Sequence, residues 1–198
     1  MSRFLVIGGA GLLGAETVKA LGADQCVVAS RQAGERVDIS DLKSLAALFD
    51  RVGEVDGIVC TGGAARFRPW NQATDEDWGF CLANKLMGQV NVVRLGASRV
   101  RPGGAITLTT GVLAQQPMPG GAMITTVNAA VEAFVRATTV EPAIRARVNA
   151  VSPGWVAETL QAMGRDPAGG IPAKDVAQVF VRQLREGASG SVALAAKG

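Results

Sequence analysis

The sequence predicts an α/β fold in one domain, residues 1–198, built as a doubly wound parallel sheet between two layers of helices. Three observations predict it. Short apolar runs recur at 4–7, 26–29, 57–60, 105–109, 148–151 and 192–195. They are apolar on both faces, as strands of a covered parallel sheet must be. Helix-length segments separate them, and 198 residues suffice for one buried core but not comfortably for two.

Taken in order, the run Phe4-Leu5-Val6-Ile7 feeds a turn containing Gly8, Gly11 and Gly14, followed by a helical pattern over 12–21. Each glycine has a physical task. The first permits a tight turn out of the strand, the second lets backbone approach a pyrophosphate, and the third lets the helix lie close to the sheet. The helix N-terminus then favours an anion. The second strand ends at Ser30 and Arg31. Leu42, Leu45, Ala46, Leu48 and Phe49 mark an amphipathic helix ahead of the third apolar run. Thr74 and Asp77 have capping-box spacing and open a helix through Trp78, Leu82, Leu86 and Val90. A further helix over 125–140 is apolar on most of its circumference. Residues 111–123 and 157–173 are rich in Gly and Pro and are expected to form mobile loops. Ligands of such a sheet bind beyond the carboxyl ends of the strands, where all these motifs fall.

Composition excludes several classes. The net charge of +3 comes from scattered Lys and Arg with only nine aromatic residues, so a nucleic-acid partner is not expected. The chain has no histidine and no close cysteine pair, so no metal site is expected. Cys26, Cys60 and Cys81 are odd in number, widely spaced and set among apolar neighbours, as reduced buried thiols of a cytoplasmic protein would be. No apolar run reaches membrane-spanning length, and the N-terminal run is interrupted too early for a signal peptide.

Five segments in this order resemble the short-chain dehydrogenase/reductase family over nearly the whole chain. They are the glycine turn; Val37-Asp38-Ile39; Asp56-Gly57-Ile58-Val59-Cys60-Thr61-Gly62-Gly63; Asn84 in Leu82-Ala83-Asn84-Lys85; and Arg147-Val148-Asn149-Ala150-Val151-Ser152-Pro153-Gly154-Trp155-Val156. The resemblance implies a Rossmann fold and hydride chemistry between a nicotinamide cofactor and a small carbonyl or alcohol. It implies cofactor contacts from Gly8, Gly11, Leu12, Leu13, Gly14, Ser30, Arg31, Asp38 and Ile39 in the first half. Thr61, Gly62, Gly63, Asn84, Thr109, Asn128, Pro153, Gly154, Trp155 and Val156 supply the rest. Asp38 corresponds to the aspartate at the adenine, although it can also serve as a helix cap. Asn84 corresponds to an asparagine that holds a relay water. The family usually pairs the Asn84 helix and the 125–140 helix across a two-fold axis, implying a homodimer or homotetramer.

No acid follows the second strand, where an NAD-preferring site places one for the ribose hydroxyls. Ser30 and Arg31 stand there instead, suited to a 2′-phosphate, so NADP(H) is expected over NAD(H).

The family's catalytic Tyr-x-x-x-Lys pair is missing. The chain contains no tyrosine. Alignment puts Ile124 and Asn128 in the two slots, and Thr110 or Gly111 in the serine slot. Ile124 cannot donate a proton, and Asn128 brings no charge. The candidate catalytic residues are therefore Thr110, Asn84 and Asn128, with Lys85, Arg66 and Arg68 as further cations whose ordinary place is the surface. Two functions follow: an oxidoreductase with a divergent site, slow on simple carbonyls, or a non-catalytic dinucleotide-binding sensor or partner subunit.

Overall fold

In the computed structural model, which describes residues 2–197, seven parallel strands form one sheet in the order β3-β2-β1-β4-β5-β6-β7. The strands are β1 (Phe4–Ile7), β2 (Cys26–Ser30), β3 (Glu35–Arg36), β4 (Val55–Cys60), β5 (Val100–Thr109), β6 (Arg147–Pro153) and β7 (Val192–Ala195). The helices are α1 (Leu12–Leu21), α2 (Leu42–Val52), α3 (Asp75–Cys81), α4 (Gly88–Gly96), α5 (Ala122–Ala137), α6 (Ala157–Ala162) and α7 (Ala173–Glu186). Side chains of α1 and α7 cover one face of the sheet, with Leu21, Val176, Phe180 and Leu184 buried there. Those of α2, α4 and α5 cover the other, through Leu45, Phe49, Val92, Val131 and Val135. The three-layer doubly wound fold read from the apolar runs is therefore the fold observed.

The winding direction reverses between β1 and β4. The chain runs outward from β1 to β3, then returns to lay β4 on the other side of β1. The crevice beyond the carboxyl ends of these two strands is where such sheets hold ligands.

Several local expectations need correction. The segment Val37-Asp38-Ile39 is not itself a strand; it directly follows β3, an edge strand held only by β2. The helix expected from 125 begins at Ala122, since Gly121 supplies the turn and Ala-Met-Ile continue it readily. Its last residues, Thr138–Val140, tighten into a 3₁₀ turn. The segment 157–173 is not an open loop. It contains α6, Val156 bridges Ile171, and Ala157 N–H donates to the Ile171 carbonyl. Residues 112–114 form a 3₁₀ turn inside the segment 111–123. The amphipathic α7 had no counterpart in the sequence reading, although Pro172 before it and Val176, Phe180 and Leu184 at helical spacing signal it. Cys60 and Cys81 are buried as expected, but Cys26 is only half-buried.

The helix carrying Asn84 is capped as its sequence predicts. The Thr74 hydroxyl accepts from the Asp77 N–H, and the Asp77 side chain accepts from Thr74 N–H. It does not run on regularly, because residues Leu82–Met87 between α3 and α4 are π-helical. Such an inserted residue changes which side chains face inward, and π segments are frequent at functional sites.

Candidate active site

The glycine turn closes under the crevice. Gly8 has φ +84°, and a Cβ there would stand 2.6 Å from Thr61 Oγ1 and 2.7 Å from Gly62 N. A Cβ on Gly14 would overlap the Gly8 carbonyl oxygen, so the third glycine seats α1 against the turn. Gly11 is different. Its nearest neighbour would be Gly8 O at 3.3 Å, which leaves space above it. Gly11 is also the N-cap of α1, and no side chain caps the helix, so the N–H groups of Leu12, Leu13 and Gly14 face outward unoccupied by side chains.

A cleft of about 210 Å³ opens above this turn. Its walls bring together ten of the residues expected to hold a cofactor: Gly8, Gly11, Ser30, Arg31, Asp38, Ile39, Thr61, Gly62, Gly63 and Asn84. Thr61 is fixed by its N–H to Ile7 O at 2.9 Å, which joins the end of β4 to the end of β1. Asp38 does not cap the helix that follows; Asp41 does, accepting from Lys43 N–H. The Asp38 carboxylate accepts instead from the Ser40 N–H and hydroxyl, which holds its pKa below the ordinary aspartate value. It stays ionised at the cleft wall.

Ser30 is a correction to the expected phosphate contact. Its hydroxyl donates to Ala33 O at 2.7 Å and accepts from the N–H groups of Gln32 and Ala33. Its one proton is committed to the turn after β2. Arg31, exposed on the cleft rim with no ion pair among the described residues, is the remaining donor there.

The second half of the expected site surrounds the carboxyl ends of β5 and β6. Thr109 is pinned: its hydroxyl donates to Cys60 O, and its own N–H and carbonyl are both held by the Gln89 side chain at 2.7 Å. Thr110, a candidate catalytic residue in the sequence, turns the other way. Its hydroxyl reaches Glu132 Oε1 at 3.0 Å and Asn128 O at 3.2 Å, so its proton is spent on α5. Thr125 and Thr126 donate to Leu113 O and Ala122 O and are likewise occupied. Ile124 and Asn128 lie one turn apart on α5. Asn128 is buried, with its Oδ1 sealed and without a partner, as is Ser152 Oγ near the end of β6. An unsatisfied buried acceptor is uncommon and calls for a bound donor. Pro153 ends β6, Gly154 N–H donates to Ala195 O at 2.7 Å, and Val156 is tied to Ile171. Trp155 lies under the Arg165 guanidinium, 5.0 Å from its ring centre.

The cations split sharply. Arg66 and Arg68 both bind Asp77, at 2.8 and 3.1 Å, and Arg66 also stacks on Phe80. The two guanidinium groups hold the buried Asp77 carboxyl well below the usual range. They brace the 64–73 segment and leave the cleft without their charge. Lys85 does the opposite of what its sequence context suggested. It is 8% exposed, with no ion pair or hydrogen bond from its ammonium among the described residues. Burial alone pushes its pKa from 10.5 down to about 8. Burial also pushes the neighbouring Cys60 thiol up to about 11, so Cys60 offers it no thiolate partner at neutral pH. Sequence composition gave no warning, because a lysine next to an asparagine on a helix looks solvated until the π turn is known. Glu132 and Gln89 were also missed; the residues carry no motif, and only the packing of α4 and α5 on β5 shows their bonds.

The Cβ-free cradle at Gly8 and Gly11, the uncapped α1 terminus, Asp38 and the unpartnered Asn128 Oδ1 fit an extended dinucleotide lying from β2 across to β6. Among the described residues no helix is long and apolar enough to cross a membrane, and no cluster of His, Cys, Asp and Glu is placed to hold a metal.

Comparison with known proteins agrees with this geometry. The protein lin1944 of Listeria innocua is 31% identical, with TM-score 0.92, over 98% of this chain and 99% of that one. A small-chain dehydrogenase solved in complex with NADPH is 29% identical, with TM-score 0.84, over 98% of this chain and 96% of that one. Hydroxynaphthalene reductase arp2 of Aspergillus fumigatus is 25% identical over 71% of this chain. The chain spans about half the length of that curated relative, 51%. The family model described as Enoyl-(Acyl carrier protein) reductase matches residues 10–194, which take in every helix and every strand but β1, and the chain accordingly belongs to the short-chain dehydrogenase/reductase family.

Proposed function

We propose that this protein is an NADP(H)-dependent oxidoreductase acting on a small carbonyl or alcohol through a divergent active site. The observation that carries the cofactor choice is the end of β2. Arg31 stands on the cleft rim there, and no carboxylate follows the strand to repel a 2′-phosphate. The NADPH bound to the small-chain dehydrogenase neighbour and the reductase names of the curated relatives support the same class. When bound, the nicotinamide would supply or accept hydride at a substrate carbon.

The chain's own residues do the rest. The turn at Gly8 and Gly11 and the uncapped α1 terminus receive the pyrophosphate. Asp38 and Ile39 border the adenine end, and Asn128 Oδ1 accepts from a ribose hydroxyl. Pro153-Gly154, Trp155 and Val156 form the floor at the nicotinamide end, and the α6 segment after them shields it from water. The missing phenol leaves open a non-catalytic sensor or partner subunit, which would bind the cofactor as well but oxidise none of it. We place the protein in the cytoplasm, in keeping with its unpaired cysteines.

Calorimetry tests the cofactor assignment. NADPH is expected to bind at least tenfold more tightly than NADH. Arg31→Ala should remove that preference, a loss of about 10- to 100-fold for NADPH from charge-assisted hydrogen bonds worth about 1.5–3 kcal/mol. Equal affinities in the unaltered protein would refute it.

The protein is also expected to self-associate through α4 and α5. Val127, Val131 and Val135 are buried within one chain, so the overhang is smaller than the helix composition suggests. Ala133 and Ala137 remain exposed, Val140 is 78% exposed, and Met87 on the adjoining π turn is 40% exposed. Light scattering at micromolar concentration should give a dimer or tetramer mass; a monomer mass contradicts this.

A further inference from the structure

We propose that Lys85 is the proton donor of this site, delivering a proton from Nζ to the substrate oxygen as hydride reaches the carbonyl carbon. The inference rests on the NADP(H) reading above and names the group that replaces the absent phenol. Lys85 belongs to the π segment whose neighbouring residue, Asn84, lines the cleft. Its stem runs beneath Gly63, where a Cβ would come within 2.9 Å of Lys85 Cδ. Gly62, Gly63 and Asn84 border the cleft, and Lys85 stands directly behind this wall with its stem against Gly63. The Gln89 amide donates to both Lys85 O and Thr109 O, tying the backbone of the π segment to the end of β5.

Ser152 Oγ is unpartnered but sealed, and the other hydroxyls and cations named at the site are committed. Thr110 serves Glu132, Thr109 serves Cys60 O, Arg66 and Arg68 serve Asp77, and Ile124 has none to give. Charge has moved from one helix to the other. The family's lysine slot on α5 holds Asn128, while the asparagine position across the cleft is followed by a lysine. A buried lysine with no counter-ion is costly to keep charged. Its Nζ is not among the sealed unpartnered atoms, which are Asn128 Oδ1 and Ser152 Oγ, so it is not wholly closed off.

The step balances with a reduced nicotinamide dinucleotide as reductant. Hydride forms the new C–H bond, the carbonyl π pair moves to oxygen, and that oxygen takes the proton as the Nζ–H bond breaks. An alcohol, an oxidised dinucleotide and a neutral amine result, and water in the cleft reprotonates the amine. The buried titratable groups on elements packed against Lys85 are Cys60 on β4, Asp77 and Cys81 on α3, and Glu132 on α5; Asp75 and Glu76 on α3 and Arg136 on α5 are exposed. Asp77 is held by the two arginines and Glu132 by Thr110 and Gln115, so none neutralises the ammonium. Reductase activity should therefore fall as pH rises through about 8.

The test combines titration and turnover. The protein is reductively ¹³C-methylated and its dimethyl-lysine signals are followed by NMR against pH, with and without NADPH, beside Lys85→Met to assign the resonance. The expected result is one signal, absent from Lys85→Met, that titrates near 8 and moves on NADPH saturation. NADPH oxidation by carbonyl substrates should drop about 10²- to 10⁴-fold in Lys85→Met, the range for loss of a positioned general acid. Lys85→Arg should fall alike, because a guanidinium keeps its proton, while both variants still bind NADPH. A Lys85 signal titrating like a free lysine, or one indifferent to bound NADPH, overturns the proposal, as does undiminished turnover in Lys85→Met. If the unaltered protein takes up no NADPH, the cofactor assignment falls and Lys85 with it. If NADPH binds and Lys85 titrates normally, only the lysine's role falls.

Discussion

Gly14→Val is expected to abolish NADPH binding and to lower the thermal midpoint by about 10 °C, whereas Gly11→Ala should lower affinity at least tenfold while melting almost normally. The two glycines lie three residues apart in one turn, but their surroundings differ. A Cβ on Gly14 overlaps the Gly8 carbonyl oxygen and meets Gly9 Cα at 2.7 Å, so backbone must move. Displacing it strains both the strand exit and the start of α1, and changes of that kind cost roughly 3 kcal/mol or more. At Gly11 the φ is −81°, ordinary for alanine, and only Gly8 O lies within reach, at 3.3 Å. The fold accepts the methyl group, but the space that a phosphate needs above the α1 terminus is taken. Differential scanning calorimetry and NADPH titration on both variants check the pair. Unchanged affinity in Gly11→Ala would show that no phosphate lies over this turn.

Lys85→Met should make the protein more stable at pH 7 while removing its proton donor. The methionine keeps most of the apolar stem and discards a charge that is buried without a partner. The folded pKa of about 8 lies below the ordinary 10.5, so folding disfavours the charged amine. Below pH 8 that penalty is fully present. It is relieved as pH rises from about 8 to 10.5, where the unfolded chain binds the extra proton. The displacement corresponds to about 3 kcal/mol as an upper figure, or roughly 5–10 °C in thermal midpoint for a chain of this size. The advantage of Lys85→Met should therefore be largest at pH 6–7 and shrink above pH 8. Cys60 works against Lys85 in the parent protein, since its raised pKa removes stability as pH climbs from 9 toward 11. The difference between parent and variant cancels that contribution, because both keep Cys60. Chemical denaturation at pH 7 and at pH 10 measures it. A less stable Lys85→Met at pH 7 would mean that the ammonium has an unseen partner.

The sheet was legible because its strands are buried on both faces and stand out as apolar runs, and the pattern places β1, β2 and β4 to β7 within a few residues. Its edge was not. Glu35 and Arg36 are polar because β3 touches only one neighbour, and no apolar run marks it. The glycine turn of the candidate site could be read from Gly8, Gly11 and Gly14, since Gly8 and Gly14 answer to local backbone requirements and Gly11 leaves open space above the α1 terminus. The reacting end could not. Thr110 presents a hydroxyl in the sequence, but Glu132, 22 residues away, decides where that hydroxyl points. Ser30 is likewise absorbed by its own turn. Lys85 was visible as a residue and misjudged as a surface charge, because the π segment that turns it inward packs against α5, a contact far away in sequence.

The central claim is that a reduced nicotinamide dinucleotide bound in this cleft passes hydride to a carbonyl even though the chain has no tyrosine. It is tested most directly by mixing the NADPH-loaded protein with a panel of aldehydes, ketones and quinones and following loss of the reduced nicotinamide absorbance in a single turnover. Oxidation of bound NADPH by at least one member, faster than NADPH alone and slowing as pH is raised above 8, is the predicted result. NADPH bound tightly yet oxidised by none of them would contradict the account and leave a dinucleotide-binding protein without chemistry.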